Sequence, residues 1–140
     1  TLPPMRGVEG FIEKAKERGL KLGIATSATE KKPVSHLKRL GLLEYFDALS
    51  TADICRNVKP APDLFLKAAE LLGVTPEECL AVEDSGNGLI SANRAGIRCL
   101  LVTNQITQYC DFEPYYRRAA SLEEADLDEI IRDYAGGKEV

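Results

Sequence analysis

Three sets of residues in this sequence could carry chemistry: the hydroxyls of Thr26 and Ser27, the ammonium of Lys59, and the adjacent carboxylates of Glu83 and Asp84. Together they suit a phosphoryl group. Hydroxyls and free backbone amides can hold its oxygens, a lysine offsets its charge, and two carboxylates can hold a magnesium ion that bridges to it. Each set also has an ordinary explanation. Thr26-Ser27 could cap the following helix, and Lys59 could be a solvated surface lysine. Glu83-Asp84 could face solvent and cap the helix that begins near Asn87. That last reading is the hardest to hold for both residues. Neighbours at a strand end point to opposite sides, and like charges side by side repel. The one histidine, His36, lies on a polar helix flank and reads as surface.

The elements that must position these groups centre on the stretch Cys79 to Thr103, CLAVEDSGNGLISANRAGIRCLLVT. Leu80-Ala81-Val82 is a short buried strand that ends on the two carboxylates. A turn through Ser85, Gly86, Asn87 and Gly88 leads into a helix that stops at Gly96, and Cys99 to Val102 is a second strand. Upstream, Val8, Phe11, Ile12 and Ala15 have one-sided helical spacing, and Gly19 is placed to end that helix. Leu20 to Ala25 is a strand candidate that ends at Thr26, Ser27 and Thr29. Pro33 can start the next helix, along Val34, Leu37 and Leu40 to Gly41. Phe46 to Ser50 is a weaker strand. Val58-Lys59-Pro60-Ala61-Pro62-Asp63 is a rigid loop, because each proline restrains itself and the residue before it. It opens a helix with Phe65, Ala68, Ala69 and Leu72 on one face, stopped by Gly73. Thr75-Pro76-Glu77-Glu78 is a capping box. The segment Thr103 to Ala120 reads as irregular and aromatic, and a last helix is expected from Ser121, with Glu124 as capping partner. Helices alternate with short strands throughout. The expected fold is α/β, a doubly wound parallel sheet with helices on both faces. In such a sheet the strand ends that carry the three sets face one crevice.

Composition narrows the class. At 140 residues the chain is one domain by length, large enough to bury roughly two-thirds of its unfolded surface. Its 44% apolar and 29% charged residues are ordinary for a soluble protein. A net charge of -4 without a basic face argues against nucleic acid as the main partner. No apolar run approaches the ~20 residues of a membrane span, and the amino end, TLPPMRGVEG, does not read as a signal peptide. The four cysteines, Cys55, Cys79, Cys99 and Cys110, are scattered, which reads as free thiols in a reducing, cytoplasmic compartment and not as a zinc site.

With these motifs in order, the chain resembles the haloacid dehalogenase superfamily of phosphohydrolases, in particular its β-phosphoglucomutase-like branch. The likeness rests on the strand LKLGIATSAT, on Lys59-Pro60-Ala61-Pro62-Asp63 with Leu64-Phe65, and on Glu83-Asp84-Ser85-Gly86-Asn87-Gly88 through Ala95-Gly96. GLLEYFDAL from Gly41 to Leu49 reads the same way, so the likeness covers roughly residues 3 to 104. The resemblance implies a phosphoaspartate mechanism with Mg2+ as cofactor and a small phosphorylated substrate. By this likeness Thr26 and the Ser27 amide bind the phosphoryl group and Lys59 neutralises charge beside it. Asp84 is a magnesium ligand, Glu83 contributes directly or through water, and Ser85 and Asn87 are supporting groups.

The sequence departs from the family's pattern at one point. The family's first strand carries Asp-x-Asp-Gly-Thr, which supplies nucleophile and general acid/base, and it lies between the strands ending at Thr26 and Asp84. No such sequence occurs here; the one D-x-D, Asp126-Leu127-Asp128, falls in the last helix. The family's helical cap is not found either. The chain is therefore expected to be a single partial core domain over residues 1–140, inactive alone, and completed by a separate segment or by exchange with a second copy. The alternative is that the two strands close up and pair directly. Two other functions fit less of the sequence. One is a non-catalytic phosphate-binding or regulatory module acting through a partner. The other is a signalling receiver domain, whose acidic pair comes near the amino end and whose lysine comes last, unlike the order here.

Overall fold

The computed structural model describes residues 7–102 and 114–137. Helix α1 (Val8–Glu17) buries Ile12 and Ala15, as their spacing requires, and Gly19 follows it in the left-handed conformation. Strand β1 (Gly23–Ala25) is shorter than the apolar run suggests. The backbone of Leu22 is instead tied to Asp47, its N–H donating to Oδ2 at 2.8 Å and its carbonyl accepting from Asp47 N–H at 2.6 Å. Helix α2 (Lys31–Leu40) begins two residues before Pro33. Proline is tolerated there because first-turn amides have no partner within the helix. Strand β2 (Ala48–Ser50) pairs in parallel with β1, with Ile24 opposite Leu49. Helix α3 (Asp63–Leu72) packs on this pair and is closed by Gly73. The Thr75 capping box forms, its N–H and hydroxyl both donating to Glu78 Oε1 at 3.0 Å.

A second parallel sheet holds β3 (Leu80–Glu83), β4 (Arg98–Val102) and β5 (Arg117–Ala119), in that order. Helix α4 (Gly86–Ala95) connects the first two, and α5 (Leu127–Gly137) closes the fold. The two-residue period of the strands divides the core. Ala81, Cys99 and Leu101 face Phe65, Leu89 and Ala92 on the side of α3 and α4. Leu80, Val82, Leu100 and Val102 face Phe11, Ile130 and Tyr134 on the side of α1 and α5. The doubly wound expectation therefore holds. Arg18, at the end of α1, and Lys14 within it grip Asp128 of α5 and hold its carboxyl down to about 2. Among the described residues no helix is long and apolar enough to cross a membrane.

Strands β1 and β3 do not pair, so the direct closure of those strands does not occur, and the described strands form two sheets with a seam between them. The peptide unit joining Ala25 to Thr26 shows which way the seam edge faces. Thr26 N–H donates to Ser50 O on β2 at 2.9 Å. The carbonyl of a trans peptide points opposite to its N–H, so Ala25 O points away from β2.

The carboxyl-terminal third departs most from expectation. Strand β5 lies in the stretch read as irregular. Arg117-Arg118-Ala119 has no apolar alternation, and it is held by the free edge of the buried strand β4. Tyr109, Cys110 and Phe112 lie outside the described residues. Ser121 does not start the last helix. Glu124 reaches back to accept from Ala120 N–H at 3.1 Å, as a capping partner would, but the chain closes only a turn, with Ala125 N–H on Leu122 O at 3.2 Å. The helix starts afresh at Leu127, capped by Asp126, whose Oδ1 accepts from Glu129 N–H at 3.1 Å. Replacing Asp126 by alanine is therefore expected to lower stability by about 1 kcal/mol in urea denaturation. Ser121→Ala is expected to cost clearly less, and equal losses would place the cap wrongly.

Candidate active site

Lys59 is the hub. It projects from the loop between β2 and α3, after which Lys59-Pro60 is a cis peptide. Its Nζ donates to Ala25 O at 2.8 Å and to Glu83 Oε2 at 2.5 Å, spanning the seam from the end of β1 to the end of β3. The Lys59 and Glu83 side chains are only 13% and 11% exposed, so Lys59 is not a solvated surface lysine. The Phe65 ring lies 4.7 Å beneath the ammonium and adds a cation–π contact on its apolar side.

Glu83 and Asp84 diverge, as neighbours at a strand end should. Glu83 turns inward to Lys59, and Asp84 is exposed. Neither caps α4. That role belongs to Ser85, whose Oγ accepts from Gly88 N–H at 3.0 Å and lies 3.5 Å from Glu83 Oε1. Asn87 is exposed in the first turn of α4. Gly88 has a steric role that the turn composition alone did not reveal. A Cβ there would stand 1.9 Å from Glu83 Oε1, so only glycine lets the carboxylate pass under the helix. Cys99 on β4 lies nearby. Burial first, and then the charge of Glu83, pushes its thiol up to about 12, so it stays protonated and unreactive.

Thr26 follows β1 directly and is half-buried, and Ser27 is exposed. Thr26 Oγ1 accepts from Ala28 N–H at 3.1 Å, so it shapes its own turn and does not cap α2. Asp53, not singled out by the sequence, steadies this loop by accepting from Glu30 N–H at 2.6 Å. The structure thus brings the end of β1, Lys59 and Glu83 together and leaves Ser27, Asp84 and Asn87 open beside them. His36 is exposed on α2, as expected.

Two carboxylates at the end of β3, Glu83 and Asp84, are the residues here that could hold a metal ion. Among the described residues no three His, Cys, Asp or Glu side chains gather at one point. Magnesium is usually held by one or two carboxylates together with waters and substrate phosphate oxygens. Asp84 can supply one directly, and Glu83, engaged by Lys59, can supply a second through water.

Comparison with known proteins gives the family. The family model described as haloacid dehalogenase-like hydrolase matches residues 1–102, and the chain belongs to that family. The candidate phosphatase YhcW of Bacillus subtilis is 48% identical over 121 residues, which is 86% of this chain and 55% of that protein. Among solved structures, β-phosphoglucomutase from Clostridium difficile superposes with a TM-score of 0.82 at 25% identity, covering 97% of this chain and 58% of that one. CbbY from Rhodobacter sphaeroides, solved in complex with xylulose-(1,5)bisphosphate, gives a TM-score of 0.80 at 32% identity, covering 86% and 55%. The chain spans about half the length of the curated relatives it matches. The receiver-domain alternative falls away with this membership.

The geometry predicts that Lys59 and Gly88 act on one carboxylate. Lys59→Met leaves Glu83 buried without its partner, and Gly88→Ala drives Glu83 out of the pair. Each is expected to cost about 3 kcal/mol in urea denaturation, and the double variant little more than either alone. Additive losses would show that the two residues act independently.

Proposed function

We propose that this chain is the magnesium- and phosphoryl-binding core of a phosphohydrolase or phosphomutase that acts on a small phosphorylated metabolite through a phosphoaspartate. The observation that carries this reading is the placement of Lys59 between Ala25 O, next to Thr26, and Glu83, next to Asp84. An ammonium has three donors. Among the described residues two are engaged by these oxygens, and the third is the donor assigned here to an anion in the mouth of the seam. Thr26 Oγ and the Ser27 N–H supply further donors, and Asp84, with Glu83 through water, holds the metal. Magnesium, when bound, withdraws charge from the phosphoryl oxygens. The nucleophile is a carboxylate carried by a segment outside this 140-residue sequence, seated in the seam between β1 and β3. The phosphoryl group passes from the substrate's ester oxygen to that carboxylate as the P–O ester bond breaks. The second aspartate of the same segment gives its proton to the departing oxygen and later takes one from the attacking water or hydroxyl. Water then releases the phosphoryl group as phosphate, or a second hydroxyl of the substrate accepts it. Ser85, at the cap of α4, and Asn87, in its first turn, support this arrangement.

This reading gives a direct test. The isolated chain with magnesium is expected to hydrolyse p-nitrophenyl phosphate no faster than buffer. Adding a peptide that carries an Asp-x-Asp-Gly-Thr strand is expected to produce turnover, and Lys59→Met to abolish it. Robust turnover by the chain alone would overturn the proposal.

A further inference from the structure

The loop that aims Lys59 has little backbone support of its own. Ala61 N–H turns back onto Val58 O at 3.0 Å, and the prolines on either side supply no donors. The loop is fixed from elsewhere. Ser91, in the middle of α4, is fully buried, and its Oγ donates to Ala61 O at 2.7 Å. Three residues on, Arg94 donates to Pro60 O at 3.4 Å. On the other flank Ser50, the last residue of β2 and also fully buried, donates to Leu64 O at 2.7 Å.

Ser91 is an unexpected residue for its place. It lies among the apolar residues Leu89, Ala92 and Ala95 on the core side of α4, where alanine has the better helix propensity. A serine inside a helix commonly returns its hydroxyl to the carbonyl four residues back. Ser91 gives its donor instead to a loop distant in sequence. The same helix begins immediately after Glu83-Asp84 and is locked to Glu83 by the close approach at Gly88. One rigid element therefore fixes the carboxylate and, through Ser91, the loop two residues from the lysine that pairs with it.

We infer that Ser91 is a positioning residue for Lys59, its hydroxyl holding the Ala61 carbonyl so that the ammonium meets Ala25 O and Glu83 across the seam. The inference rests on the reading that Lys59 is the phosphoryl-binding cation. A hydroxyl that served only general packing would change the stability of the whole domain without singling out Lys59.

The test is site-resolved acetylation of lysines in the 140-residue chain by an amine-reactive ester, read by peptide mass spectrometry. Amide hydrogen exchange across β4 serves as the measure of global opening. Ser91→Ala leaves a buried acceptor unpaired and is expected to raise the Lys59 acetylation rate about tenfold, with a clearly smaller change in β4 exchange. Ser91→Cys keeps the volume with a weaker donor and is expected to fall between wild type and Ser91→Ala. If Lys59 acetylation rises only as much as β4 exchange, or does not rise in either variant, the inference is overturned. Inorganic phosphate with magnesium tests the underlying reading separately. It is expected to protect Lys59 in the wild type and to protect it less in Ser91→Ala. No protection in the wild type would count against the phosphoryl reading alone, because the acetylation ratio is measured without phosphate.

Discussion

A single ammonium joins two half-sheets. Lys59 donates to a backbone carbonyl at the end of β1 and to a carboxylate at the end of β3, where the described strands make no ladder to each other. Two things follow for the groups it joins: a carbonyl on a seam edge gains a donor, and a nearly buried carboxylate gains its counter-charge. Among the described residues two of the ammonium's three donors are engaged by these oxygens. A buried pair of this kind tolerates little. Losing either partner strands the other in a poorly solvated place, a larger loss than the pair contributes as a whole.

The neighbours of the bridge are explained by the need to hold it. Phe65 floors the ammonium, and Gly88 yields the space the carboxylate occupies. Ser91 fixes the loop at Ala61, Ser50 holds the first turn of α3 that follows it, and Asp53 steadies the turn after Thr26. Ser27, Asp84 and Asn87, by contrast, are exposed. Under the proposed function, the inner groups are held in place by protein contacts before a phosphoryl group binds, and the outer groups meet it from the solvent side. In an open α/β sheet that division falls outside the carboxyl ends of the strands, as it does here.

Much of this was legible in the sequence because it depends on local rules. Short continuous apolar runs mark β1, β3 and β4, helical spacing marks the buried side of α1, and glycines mark the ends of α1 through α4. Glu83-Asp84 could be read as a site because adjacent like charges at a strand end have few structural uses. What was not legible depends on distant partners. Arg117-Arg118-Ala119 is a strand because of β4, not because of its own pattern. Ser121 and Glu124 form half of a capping interaction, yet the helix waits for Asp126. Ser91 looks like any small helix residue until Ala61 is seen beside it. The family resemblance, with its missing Asp-x-Asp-Gly-Thr, was likewise readable from motif order alone.

The account stands or falls on where an oxyanion binds. The most direct measurement is a crystal structure of the chain grown with magnesium and tungstate. The account predicts tungstate at the mouth of the seam, bonded to Thr26 Oγ, the Ser27 N–H and the third donor of Lys59, with the metal on Asp84. Tungstate bound elsewhere, with Thr26 and Lys59 untouched and Asp84 bare at saturating magnesium, would contradict it.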